Sequence, residues 1–153
     1  MSVAQVRREV VGEVQEVWDV VTDWTRHGDH VWLTDVTVQG AAGVGQQFLA
    51  VTALGPIRLR DLMEVTQWEP PVSGAGRVRL EKRGSALTGW AEITVKAIAP
   101  GRSEVVWREE IVSPVARVPG LGRIEGAASR AMTHAMIARL ATGLTRDAEG
   151  ETS

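Results

Sequence analysis

The sequence predicts an α+β fold: a curved antiparallel sheet of about six to seven strands wrapped around a long C-terminal helix, with one or two short helices after the first strand. Three observations lead there. Along the 153 residues the hydrophobic period runs strand, helix, about six strands, then helix. Turns of hairpin length join consecutive strands, so the sheet is mainly antiparallel. One face of such a sheet needs cover, and only the last element is long enough to give it, since a helix of about 20 residues spans about 30 Å.

Val3 to Val11 alternates loosely and is rich in Val, which reads as the first strand, broken by Gly12. Val14, Val17, Trp18 and Val21 then recur at helical spacing, with Glu13 and Glu16 near the start, where carboxylates suit the helix dipole. This short helix ends around Thr22 or Asp23, and DWTRHGDHVW follows as a helical turn or loop. Asp35 to Gln39 is the second strand, ended by the Gly-rich turn GAAGVG, and Gln46 to Ala53 is the third. Gly55 and Pro56 make a tight turn into a long fourth strand, Ile57 to Trp68, in which Ile57, Leu59, Asp61, Met63 and Val65 share the face assigned to the interior. The prolines at 70 and 71 end it. In Arg77 to Arg83, Val78 and Leu80 face inward, while Arg77, Arg79, Glu81 and Arg83 face outward. Leu87 to Ala97 and Ser103 to Val112 complete the sheet, joined by PGRS. After a Pro/Gly loop the period becomes helical from about Arg123 to Leu144, with Ala128, Met132, Ala135, Met136 and Leu140 along one stripe. The chain therefore reads as one domain over 1–146, with a polar, frayed tail at 147–153.

Composition narrows the function classes. Hydrophobic residues make up 44% and the formal net charge is −2, so there is no global attraction to nucleic acid or anionic lipid, and neither a nucleic-acid partner nor membrane insertion is expected. With no Cys, disulfides, thiolate metal sites and cysteine nucleophiles are excluded. The opening MSVAQVRREVV has no apolar signal core and reads as a strand, so a cytoplasmic location is expected. Six Trp stand beside one Phe and no Tyr, which makes indole the main aromatic surface for a core or a pocket.

Three local patterns carry a resemblance: VWDVVTDWTRHGDHVW; the Gly-rich turn with GQQFLAV and a strand ending in VTQWEPP; and SEVVWREEI with PGLGR before the terminal helix. Together they resemble the START-like superfamily, also called SRPBCC or birch-pollen-allergen-like, and within it the polyketide cyclase/dehydrase and lipid-transport group. The resemblance implies a helix-grip fold with an apolar cavity between sheet and terminal helix. Its members bind sterols, lipids, polyketides or hormones, and some are aromatases or cyclases. It also implies that Trp24 and Trp32 sit beside the cavity mouth.

Several residues then become candidates. Asp61 lies in an apolar phase, where an ionised carboxylate needs partners or a raised pKa, so it is either a general acid/base or ligand acceptor, or reaches water at a bulge or strand end. Glu109 shares the interior phase of Val105, Trp107 and Ile111, within range of Arg139 or Arg130 on the terminal helix, and either lines the cavity or is a rim residue or member of a structural ion pair. Trp107 either offers an indole wall to a bound apolar ligand or packs in the core. Leu59, Met63, Met132 and Met136 supply further apolar lining, Trp32 the mouth, and Arg139 a polar contact. His27 is a third acid/base candidate, because His titrates near neutrality, but no metal spacing such as HExxH accompanies His27 and His30. No metal and no cofactor are expected. Trp68 and Trp90 fall in outward phases, either covering the outer face or sitting in a homodimer contact. The expected function is binding of a small apolar or aromatic molecule. The alternative is a polyketide cyclase, aromatase or dehydratase using Asp61, Glu109 and His27 for proton transfer. A third reading, a protein-interaction module, depends on an exposed Trp68 and Trp90 patch.

Overall fold

The structure, a computed structural model, describes residues 3–26, 34–85 and 88–112. The expected terminal helix, the loop before it and the tail lie outside the described residues, as do His27, His30 and Trp32.

The elements run β1 (Val3–Val11), α1 (Val14–Val21), β2 (Thr34–Gln39), β3 (Gln47–Leu54), β4 (Ile57–Glu69), β5 (Ala75–Arg83), β6 (Thr88–Ala99) and β7 (Arg102–Val112). Each agrees with its expected span to within about two residues, the uncertainty normal for element ends. The strands form one seven-stranded sheet in the order β1-β7-β6-β5-β4-β3-β2, antiparallel throughout. From β2 to β7 each strand pairs with its chain neighbour, and β1 closes against the last strand. Gly101, at φ 70° in the β6–β7 turn, accepts from Gly12 N–H at 2.8 Å and donates to the Glu13 carboxylate at 2.7 Å. Those two bonds fix the start of α1 to the sheet.

The pleat sorts side chains to two faces. On the inner face Val6, Val65, Val78, Leu80, Ala91, Ile93, Val95 and Val105 are buried. α1 lays Val17, Trp18 and Val21 on this surface. Trp18 fits because residue 76 is glycine: a Cβ there would stand 2.8 Å from the indole.

Trp68 overturns its expected outward placement. Simple alternation from Val65 sends it outward, but the β4–β5 register slips between Val65 and Gln67. That bulge adds one residue and inverts the alternation. Val65 then lies opposite Leu80 and Trp68 opposite Val78, both facing inward. Trp68 meets Trp18 edge-on, ring centroids 5.1 Å apart. Trp24, expected beside a cavity mouth by the resemblance, is packed into the core. It is 2% exposed, stacks on Phe48 at 4.8 Å and donates Nε1–H to Gln46 Oε1 at 3.0 Å. Its indole is core, and its polar tip is satisfied internally.

Trp90 keeps its outward phase, half-buried under the Arg79 guanidinium, 4.5 Å above the ring. Around it Glu92 receives Arg77 at 3.0 Å and Arg79 at 3.7 Å. The outer face is therefore a lattice of opposite charges over an indole.

Candidate functional site

β4, β5 and β7 each place one ionisable residue on the inner face, at the end away from α1. Asp61 lies opposite Ala50, Lys82 opposite Met63 and Gly89, and Glu109 opposite Ala91 and Ala4. Inward alternation in β5 runs Val78, Leu80, Lys82, so the same periodicity that buries two aliphatic side chains also buries an ammonium. Lys82 and Asp61 are ion-paired and hydrogen-bonded, their side chains 5% and 16% exposed. Lys82 Nζ also lies 3.7 Å from Met63 Sδ. Glu109 is buried in the next row, beside Ala91, and Trp107 is buried two residues earlier, between Val6 and Ile93.

Burial is the largest influence on Asp61 and raises its pKa above the ordinary carboxylate value; Lys82 offsets part of this by its charge and hydrogen bond, while the nearby Glu109 carboxylate pushes it further up. One oxygen of Asp61 bonds Lys82, whereas Oδ1 is buried with no hydrogen-bond partner among the described residues. A buried polar atom in that condition carries its full desolvation cost. Next along β4, Leu59 lies half-buried opposite Thr52, whose hydroxyl shares a 2.8 Å hydrogen bond with Thr34. The arrangement is an apolar surface with an ammonium, two carboxylates and a free acceptor position. It can hold a polar group of an otherwise apolar molecule, or move a proton at Asp61.

Among the expected site residues, the structure brings Asp61, Met63 and Glu109 into one neighbourhood, with Leu59 and Trp107 at its borders. His27, Trp32, Met132, Met136 and Arg139 lie outside the described residues. Sequence reasoning missed Lys82. The signal was present, because Lys82 shares the phase of Val78 and Leu80, and a lysine in an apolar phase needs an acid within reach. Among the described residues no cluster of His, Asp and Glu side chains is placed to hold a metal, and no helix is long and apolar enough to cross a membrane.

No protein-family model matches the sequence, and no curated protein matches it. Solved structures do. A START superfamily protein from Mycobacterium smegmatis superposes with a TM-score of 0.70 at 10% identity, covering 95% of this chain and 97% of its own. Norcoclaurine synthase from Thalictrum flavum, in complex with dopamine and hydroxybenzaldehyde, gives 0.65 at 14% identity over 95% of this chain and 87% of that one. The Zhui aromatase/cyclase from Streptomyces sp. R1128 gives 0.58 at 15% identity over 98% and 92%. At such identities the likeness concerns architecture, and by that measure this chain has the START-like fold.

Proposed function

We propose that this protein is a cytoplasmic binding protein for a small apolar or aromatic molecule carrying one hydrogen-bond donor. The molecule would lie against the inner sheet face, under a helix-grip closure by the C-terminal segment whose sequence carries the apolar stripe. The observation that carries this reading is Asp61 Oδ1, buried on an apolar face with no donor among the described residues. A ligand hydroxyl or N–H supplies that donor, and Lys82 holds the carboxylate in place. Leu59, Met63 and Trp107 supply apolar contact from the sheet. On the same reading Met132, Met136 and Arg139 contribute from the terminal segment, and Trp32 from the mouth. A structural neighbour holding two small aromatic molecules supports the ligand class.

A second reading has one observation in its favour. A carboxyl that holds its proton above the usual range, beside an ammonium and a second carboxylate, is suited to proton transfer. The chain would then be a cyclase, aromatase or dehydratase, with Asp61 and Glu109 as acid and base, His27 as a third candidate and Lys82 stabilising negative charge.

Native mass spectrometry of the purified protein, followed by denaturation and identification of released molecules, tests the first reading. The expected result is a stoichiometric apolar adduct, absent from Asp61→Leu/Lys82→Met. A ligand-free mass that no panel of hydroxylated aromatics alters, with no shift of the thermal transition, would overturn it. Under the second reading, a reactive polyketone incubated with the protein leaves as a changed product, and Asp61→Asn abolishes the change.

A further inference from the structure

The described arginines divide into two groups. Arg7, Arg77, Arg79, Arg83, Arg102 and Arg108 each stand within 4.0 Å of a carboxylate on the sheet, and Arg26 pairs with Asp23 after α1. Arg8, Arg58 and Arg60 pair with none among the described residues, and all three are exposed. Arg8 stands by itself on β1, whereas Arg58 and Arg60 sit together at the start of β4, in the outward phase, just after the β3–β4 turn. The outer-face carboxylate nearest them in register is Asp35, two strands from Arg60 across Val51. At the same turn Gly55 adopts φ 61°, Pro56 is exposed, and Ile57 is 66% exposed. The hairpin tip thus joins an apolar point to two uncompensated guanidinium groups.

We propose that this tip docks the protein on an anionic lipid surface, with Pro56 and Ile57 entering the headgroup layer and Arg58 and Arg60 meeting lipid phosphates. Charge complementarity selects the partner. Two arginines without acidic neighbours beside an exposed branched aliphatic side chain meet the two requirements of interfacial binding, electrostatic attraction and buried apolar area. The overall charge of −2 works against any wider attraction, so contact is confined to the tip and is weak and reversible. β4 continues from the tip through Leu59 to Asp61 and Met63, so a docked tip would set the inner face next to the membrane. The docking itself does not depend on what that face binds.

The test is co-sedimentation of the full chain with vesicles of phosphatidylcholine alone or mixed with phosphatidylglycerol, at low and at physiological salt. Binding is expected only to the mixed vesicles, and it should weaken with salt. Arg58→Gln and Arg60→Gln should each lower the partition coefficient about fivefold. Ile57→Ser should lower it about tenfold. Arg102→Gln, at the far end of the sheet, should leave it unchanged. Equal binding to both vesicle types, no binding to either, or an anionic-lipid affinity that Arg58→Gln/Arg60→Gln does not change would overturn the proposal. Because these side chains are exposed, circular dichroism of each variant should match the parent. If Ile57→Ser fails that check, the lipid and salt dependence of the unmodified chain still decides.

Discussion

The inner sheet face has two ends, built on different terms. Near α1 it is dry: Trp18 fills the space left by Gly76, meets Trp68 edge-on, and is surrounded by aliphatic side chains. At the other end the same face carries Asp61, Lys82 and Glu109. Packing alone explains the first end. It does not explain the second, because a buried ion pair is weak evidence for stability, and apolar replacements of similar volume commonly hold a fold as well or better. The contrast separates an end of the face that packing accounts for from an end that packing does not account for.

The largest effect should come at the dry end. Trp18→Ala removes the indole from a site whose walls are strands and cannot collapse, so a loss of about 3–5 kcal/mol is expected in urea unfolding. A loss below about 1 kcal/mol would mean that α1 is not an integral part of the core.

At the polar end, Lys82→Met should cost about 3 kcal/mol at neutral pH, because it leaves Asp61 buried without its cation. That cost should depend on pH. The folded-state pKa of Asp61 is already above 3.8, its ordinary value, and losing Lys82 removes the two influences that lower it. Between 3.8 and the raised value the folded state holds a proton that the unfolded state has released. Stability from this group is therefore fully present below 3.8 and is lost as pH rises through the raised value. Urea midpoints measured over a pH series should show the gap between Lys82→Met and the parent closing in acid. A gap constant with pH would assign the loss to packing of the lysine stem instead of to charge.

Replacing both partners sharpens the comparison. Asp61→Leu/Lys82→Met should unfold within about 1 kcal/mol of the parent, or at higher urea, since no charge is left unpaired. If it also loses the ligand, the pair serves binding. If it is much less stable than the parent, the pair serves the fold, and both ends of the face are held for stability.

How much of this could be read from sequence follows the same division. Strand alternation identifies Val78, Leu80 and Val105 as inward, and helical spacing groups Val17, Trp18 and Val21, because burial there follows a regular period. The inward placement of Trp68 is not legible because a bulge inverts the period, and the sequence VTQWE contains no glycine or turn residue to mark it. The burial of Trp24 depends on Phe48 and Gln46, both more than 20 residues away, and local spacing does not encode it. Asp61 and Glu109 were legible as charges in apolar phases. Lys82 obeys the same rule, but its pairing with Asp61 is a matter of register between two strands, which composition does not encode.

The smallest expected effect lies on the outer face. Trp90 is half-buried beneath Arg79, with Arg108 at 6.0 Å from its centroid, and both arginines also reach Glu92. Trp90→Leu keeps an apolar side chain on the strand and leaves the ion pairs intact, so it removes little beyond the cation–π contact, about 0.5–1 kcal/mol for a partly exposed pair. Unfolding in urea with and without added salt should show that small loss, with the salt response of the charge lattice retained. A loss above about 2 kcal/mol would make Trp90 a structural anchor comparable with Trp18. If sedimentation then showed the parent dimeric and the variant monomeric, the indole would belong to an interface between copies.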